Sequence, residues 1–217
     1  MPTASFFGNF LTAFGPAIGA FAVTVSHSGQ LAILLICSAF FYLLAILLAS
    51  GFWFAASKDV KANAFFNLGV AIVLQELFRA LFWAVINYGN STQTYPVPHT
   101  QSQHLTASGL GYGIMSALVM YVTQLANSSN PGMIYCNSCQ DQDMFFISAL
   151  TTCLFVFLHT TWGILMYDAL WHKGYWQLPY VVASHFGASY STTWIPSSTA
   201  GGCWYALLTL LGVLGVN

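Results

Sequence analysis

Residues 31–56 read LAILLICSAFFYLLAILLASGFWFAA, without a single charged side chain. As a helix rising roughly 1.5 Å per residue, this stretch is about 39 Å long, more than enough to cross a hydrocarbon layer of about 30 Å. The rest of the chain agrees with it. Charged residues are 4% of the 217, hydrophobic residues are 57%, and the net charge is −1. Four Lys/Arg and five Asp/Glu cannot cover a water-facing surface, so lipid must surround most of the chain. Backbone groups in lipid need internal partners, which restricts the spans to helices or a closed barrel. Barrel strands alternate polar and apolar residues over roughly ten positions, and these runs do not. The charge balance excludes a nucleic-acid surface and a polybasic lipid patch.

Working outward from residues 31–56, the sequence predicts an all-α, single-domain bundle of seven transmembrane helices over 4–25, 31–56, 62–86, 105–126, 144–170, 175–193 and 200–216. The first run has no basic region ahead of it and is too long for a cleaved signal peptide, so it reads as a retained span broken by Gly15-Pro16. Residues 87–104 and 127–143 are polar and read as loops. No internal repeat suggests an inverted-repeat transporter. Orientation is undecided by charge: Lys58 and Lys61 fall on one side and Lys173 on the other. Sequons at Asn90-Ser91-Thr92 and Asn127-Ser128-Ser129 lie across one span from each other, so only one can face the lumen. Cys37, Cys153 and Cys203 sit in apolar runs and read as small core or lipid-facing residues. Cys136 and Cys139 lie in a polar loop and read as a loop disulfide or two free thiols, because a metal would want a second pair. No metal and no cofactor is expected.

Ionisable residues inside spans are costly and usually functional. Gln75, Glu76 and Arg79 lie in the third span, where the three-residue spacing lets Glu76 and Arg79 pair. His159 is near the middle of the fifth span and His185 near the middle of the sixth. Counted from the span ends, Glu76, His159 and His185 fall at similar depth and form one candidate polar layer. That layer either ties helix to helix by hydrogen bonds or supplies a site where Glu activates water and His assists. In the fourth span Gly109, Gly113 and Ala117 repeat every fourth residue, a stripe of small residues that lets another helix come close. Spacing does not say whether that helix is internal or a partner's. Gly15 and Gly19 form a second, shorter pattern around Pro16. Trp53, Trp83, Trp171, Trp176 and Trp194 fall near span ends, as an interfacial belt does, and Trp162 shares a face with His159.

These strings together resemble the anterior pharynx-defective (Aph) subunit family of gamma-secretase, the presenilin-containing intramembrane protease. The residues that carry the likeness are Phe14-Gly15-Pro16-Ala17, Leu47-Leu48-Ala49-Ser50 with Trp53-Phe54, Leu74 to Arg79, Ser108 to Ile114, Leu158 to Gly163, and Ser184-His185. The resemblance implies seven spans, a lumenal N-terminus and a cytosolic C-terminus. It would make Asn127 the glycosylated sequon and place Cys136 and Cys139 on the lumenal side. It also implies a non-catalytic scaffold in the endoplasmic reticulum, Golgi and plasma membrane, with presenilin, nicastrin, the presenilin enhancer subunit and membrane lipids as partners. The complex would process type I membrane proteins such as Notch and amyloid precursor, with the catalytic aspartates in presenilin. Gly109 and Gly113 carry over as assembly glycines, and His159 and His185 as intramembrane histidines needed for assembly and activity.

The chain departs from that family in places. Ala117 replaces the third glycine, the basic cluster after the fifth span is reduced to His172-Lys173, and the C-terminal tail has no counterpart. The layout is also similar to type II CAAX-processing proteases, which place a Glu/Arg pair and two His on separate helices. Phe155 stands four before His159 as in that class, but Gln75 takes the place of a second Glu. The competing reading is therefore an intramembrane hydrolase using Glu76, His159 and His185.

Overall fold

A computed structural model describes residues 2–92, 101–130 and 134–216. Among the described residues the chain is all-α apart from one small hairpin. In order, the elements are α1 (Pro2–Thr24), α2 (Gly29–Ala55), the short α3 (Lys58–Ala62), α4 (Ala64–Thr92), α5 (Gln101–Asn127), β1 (Tyr135–Cys136), β2 (Cys139–Asp143), α6 (Met144–His172), α7 (Gln177–Ser191), a 3₁₀ turn (Thr192–Trp194) and α8 (Gly202–Val216).

Helix starts follow local chemistry. Ser28 caps α2 by accepting the Leu31 N–H, and Asp143 caps α6 by accepting the Phe145 N–H at 3.0 Å. α6 ends at Lys173, whose backbone is left-handed with φ 59°, a common way to stop a helix. Two ends differ from expectation. α4 runs on to Thr92 and α5 begins at Gln101, inside the stretch read as a loop. Polar residues mark where lipid ends; the helical hydrogen bonds continue past that point. The stretch read as a second loop holds the antiparallel hairpin β1–β2, with Cys136 opposite Cys139.

Five helices, α1, α2, α4, α5 and α6, have the length and hydropathy to cross a membrane. The last two of the seven expected spans are shorter than these five. α7 and α8 each have 15 residues, about 22 Å of helix, below the roughly 17 residues a full span needs. The cause is local: Pro179 sits in the first turn of α7, and the Ser/Thr-rich run from Ser191 tightens into the 3₁₀ turn before Pro196.

α5 is the hub. It packs most extensively on α6, then on α2, with α1 lying across both α5 and α6. Ala13, Phe14 and Ala17 of α1, Leu31 and Leu35 of α2, Leu110, Ala117 and Tyr121 of α5, and Ala149 and Val156 of α6 form one core. A second core joins Phe155, Leu158 and Trp162 of α6 to Val181 and Ala188 of α7 and Leu210 of α8. The outer faces carry Ile33, Ile36, Phe40 and Leu47 on α2, and Val73, Leu77 and Leu81 on α4, all exposed. Such faces suit lipid. The chain is an integral membrane protein.

Candidate functional site

Three helices bring the ionisable residues together. α4 supplies Glu76 and Arg79, α6 supplies His159, and α7 supplies His185; all four are buried. Glu76 and Arg79 are one turn apart on α4, with Nη1 of Arg79 3.2 Å from Oε2 of Glu76. His185 Nδ1 donates to the other Glu76 oxygen at 2.6 Å. Arg79 Nη2 lies 2.9 Å from His159 Nδ1. A guanidinium only donates, so His159 Nδ1 must be the acceptor, and its ring is the neutral tautomer with the proton on Nε2. The sequence placed these residues at one depth; the structure puts them in one chain of contacts, His185–Glu76–Arg79–His159. Gln75 joins through its backbone: its carbonyl accepts the Tyr112 hydroxyl at 3.0 Å.

Aromatic rings enclose the cluster. The Arg79 guanidinium lies 4.7 Å from the centre of the Tyr112 ring, a cation–π contact strengthened by loss of water. Trp162 stacks on His185 at 4.2 Å, and its indole N–H donates to Ser184 Oγ at 3.0 Å. Tyr42 of α2 stands edge-on to both Tyr112 and His159. Trp162 had a place in the sequence reading beside His159; Tyr42 had none, and Tyr112 and Ser184 entered only as members of the family strings, because a single Tyr or Ser in an apolar run carries no periodic signal. The Tyr167 hydroxyl and Arg79 Nε are buried without a hydrogen-bond partner among the described residues.

Both Glu76 oxygens face cations or donors, and His159 Nδ1 is occupied by Arg79. A carboxylate held this way is a weakened general base: Arg79 neutralises its charge and Oε1 accepts from His185, while Oε2 makes no hydrogen bond among the described residues. What the arrangement does well is fasten α4 to α6 and α7. Removing one member of such a buried pair strands the other in a low-dielectric interior.

The small-residue stripe on α5 has its occupant within the chain. A Cβ at Gly109 would lie 2.5 Å from the Thr160 carbonyl oxygen, and one at Gly113 would collide with the Val156 carbonyl oxygen. Thr160 and Val156 belong to α6. From the α6 side, a Cβ at Gly163 would come within 2.8 Å of the Gly109 Cα. Ala117 continues the seam and is fully buried. Gly111 was not singled out by the pattern, yet a Cβ there would collide with the Leu35 carbonyl of α2. Two residues on from Gly109, it faces roughly the opposite side of the helix. Close to this second seam, the Ser38 hydroxyl of α2 donates to the Ser108 carbonyl of α5.

The cysteine expectation needs correction. Cys139 is bonded to Cys203, 64 residues away, and Cys136 is a buried free thiol. Cys203 was read as a core or lipid-facing residue; it lies in the first turn of α8, within reach of the hairpin. Asn127 is exposed at the last residue of α5, while Asn90 falls within α4 and its side chain lies outside the described residues.

A membrane helix bundle with a sealed charge cluster and a glycine-mediated central seam is the class these features define. Residues 4–216 match the family model described as Aph-1 protein. The chain is 33% identical to "Gamma-secretase subunit Aph-1b" of Danio rerio, over 87% of this chain and 78% of that protein. It is 32% identical to "Gamma-secretase subunit APH-1B" of Homo sapiens, over 88% and 79%. It is 31% identical to "Gamma-secretase subunit Aph-1" of Drosophila melanogaster, over 88% and 82%. The chain belongs to the Aph-1 family.

Proposed function

We propose that this chain is a non-catalytic scaffold subunit of a gamma-secretase intramembrane aspartyl protease. The observation that carries the reading is the match to the Aph-1 family over nearly the whole chain, to relatives named as gamma-secretase subunits. In this reading the chain joins nicastrin, receives presenilin, and is completed by the presenilin enhancer subunit. The complex then processes type I membrane proteins such as Notch and amyloid precursor. α7 and α8 cross as the sixth and seventh spans, with the bilayer thinned or their flanks drawn in around them. The N-terminus is lumenal, the C-terminus cytosolic, and Asn127 carries the glycan, in the endoplasmic reticulum, Golgi and plasma membrane.

The geometry supports a scaffold over a hydrolase. Glu76, Arg79, His159 and His185 engage one another, which leaves them suited to positioning helices. Gly109, Gly113 and Ala117 serve assembly by setting the α5–α6 seam, and any partner's helix would bind the frame that the seam holds in shape.

The reading is tested on the purified chain in liposomes with a fluorogenic transmembrane peptide. It predicts no turnover above empty liposomes. Turnover that disappears in Glu76→Gln would establish the hydrolase instead.

A further inference from the structure

At the end of the bundle where α5 leads to α6 and α7 leads to α8, the hairpin and the α7–α8 connection form one packed unit. Ser138, in the hairpin turn, is its centre. Its hydroxyl donates to the Ile195 carbonyl at 2.8 Å and accepts the Cys203 N–H at 3.0 Å. Its own carbonyl accepts the Gly201 N–H at 2.8 Å. Asn137 Nδ2 donates to the Pro196 carbonyl at 3.2 Å. A Cβ at Gly202 would lie 3.0 Å from Ser138 Cβ and would collide with the Trp194 carbonyl, so the approach requires glycine. The Cys139–Cys203 disulfide joins the two halves, over Ile147, Ile195, Ala206 and Leu207.

α8 has little else of a directional kind to hold it. Its outer face, Trp204, Tyr205, Leu208 and Leu211, is exposed. Its inner face, Ala206, Leu207 and Leu210, is apolar and buried. Lipid tails are as apolar as those side chains, so burial against α6 and α7 has no hydrophobic drive behind it. Among the described residues, the hydrogen bonds tying α8 to the rest of the chain lie at its first turn.

We propose that the Cys139–Cys203 disulfide is the fastener that seats α8 on the bundle, and that the face carrying it lies in an oxidising compartment. Its formation removes two electrons and two protons from the two thiols; the acceptor is a disulfide-bearing oxidoreductase of that compartment, which is reduced to a dithiol. A bond between segments 64 residues apart persists where thiols are not kept reduced. Cys136 stays outside the pairing; its thiol donates to the Ile195 carbonyl at 3.2 Å. The fastener needs no partner subunit, so it stands or falls separately from complex membership.

The test uses the full chain expressed in cells and quenched with acid. Thiols are tagged with a maleimide polymer after denaturation, with and without prior reduction. The chain has five cysteines; the proposal predicts three tags before reduction and all five after. Cys136→Ser must give two before reduction, whereas a Cys136–Cys139 pair would give four. Five tags on the unreduced wild type would overturn the proposal. Seating is read by hydrogen exchange of residues 202–216 in nanodiscs. Reducing the folded wild type, and separately Cys139→Ser, should speed exchange there at least tenfold while α5 and α6 stay protected. Unchanged exchange after reduction would show that the bond does not seat the helix.

Discussion

Two helices of this chain carry glycines four residues apart, and they fare differently. On α5, Gly109 and Gly113 meet the backbone of α6, and between them Gly111 meets the backbone of α2. On α1, Gly15 and Gly19 have nothing within 4 Å of the place a Cβ would occupy, and Gly8 is equally open. Buried positions make up 61% of the apolar stretch of α5 and only 22% of that of α1. The same spacing is a closed seam in one helix and an open face in the other. Small residues permit close approach; which helix arrives depends on the topology. α5 has α2 and α6 on two sides, and α1 lies at the edge of the bundle, packed on α5 and α6 along one face.

The difference can be broken or sharpened by substitution. The largest effect is expected where the closed interior also holds charge. Arg79→Met strands Glu76 among buried neighbours and should cost about 3–5 kcal/mol in detergent unfolding. If the cost is under about 1 kcal/mol, Glu76 has escaped to water and the layer is open. Gly113→Leu forces a branched side chain into the α6 backbone and should cost about 3 kcal/mol or more, read by thermal unfolding of the purified chain. Gly111→Ala should cost about 1–3 kcal/mol by the same assay, because Leu35 of α2 must move. A neutral Gly111→Ala would mean α2 is not seated on α5 as described. The smallest effect belongs to α1: Gly19→Leu should change stability by no more than about 0.5 kcal/mol. Should it spare the fold but abolish partner binding, the open face of α1 is a contact surface.

The long helices were legible because lipid demands unbroken apolar runs, and α2 has no charge at all. Their ends were not, since α4 keeps its helical hydrogen bonds through Asn87 to Thr92 after the residues turn polar. The length of α7 was overread because Tyr175, Trp176, Thr192 and Thr193 suit an interface without being in the α-helix. The polar layer was legible from depth: charges are rare in spans, and counting from the ends aligned Glu76, His159 and His185. The ring around them was not, because Tyr42 and Tyr112 look like any buried aromatic until their partners are known. Cys203 escaped notice for a related reason. Its apolar neighbours describe α8, and only the fold brings the hairpin to the start of that helix.

The central claim is that this chain frames other membrane subunits and performs no chemistry itself. Its most direct test is affinity purification of the tagged full chain in mild detergent, followed by identification of whatever remains bound at stoichiometric yield. The account predicts a presenilin and a nicastrin-like protein, both lost with Gly113→Leu. Recovery of the folded wild-type chain alone, with neither partner, would contradict it.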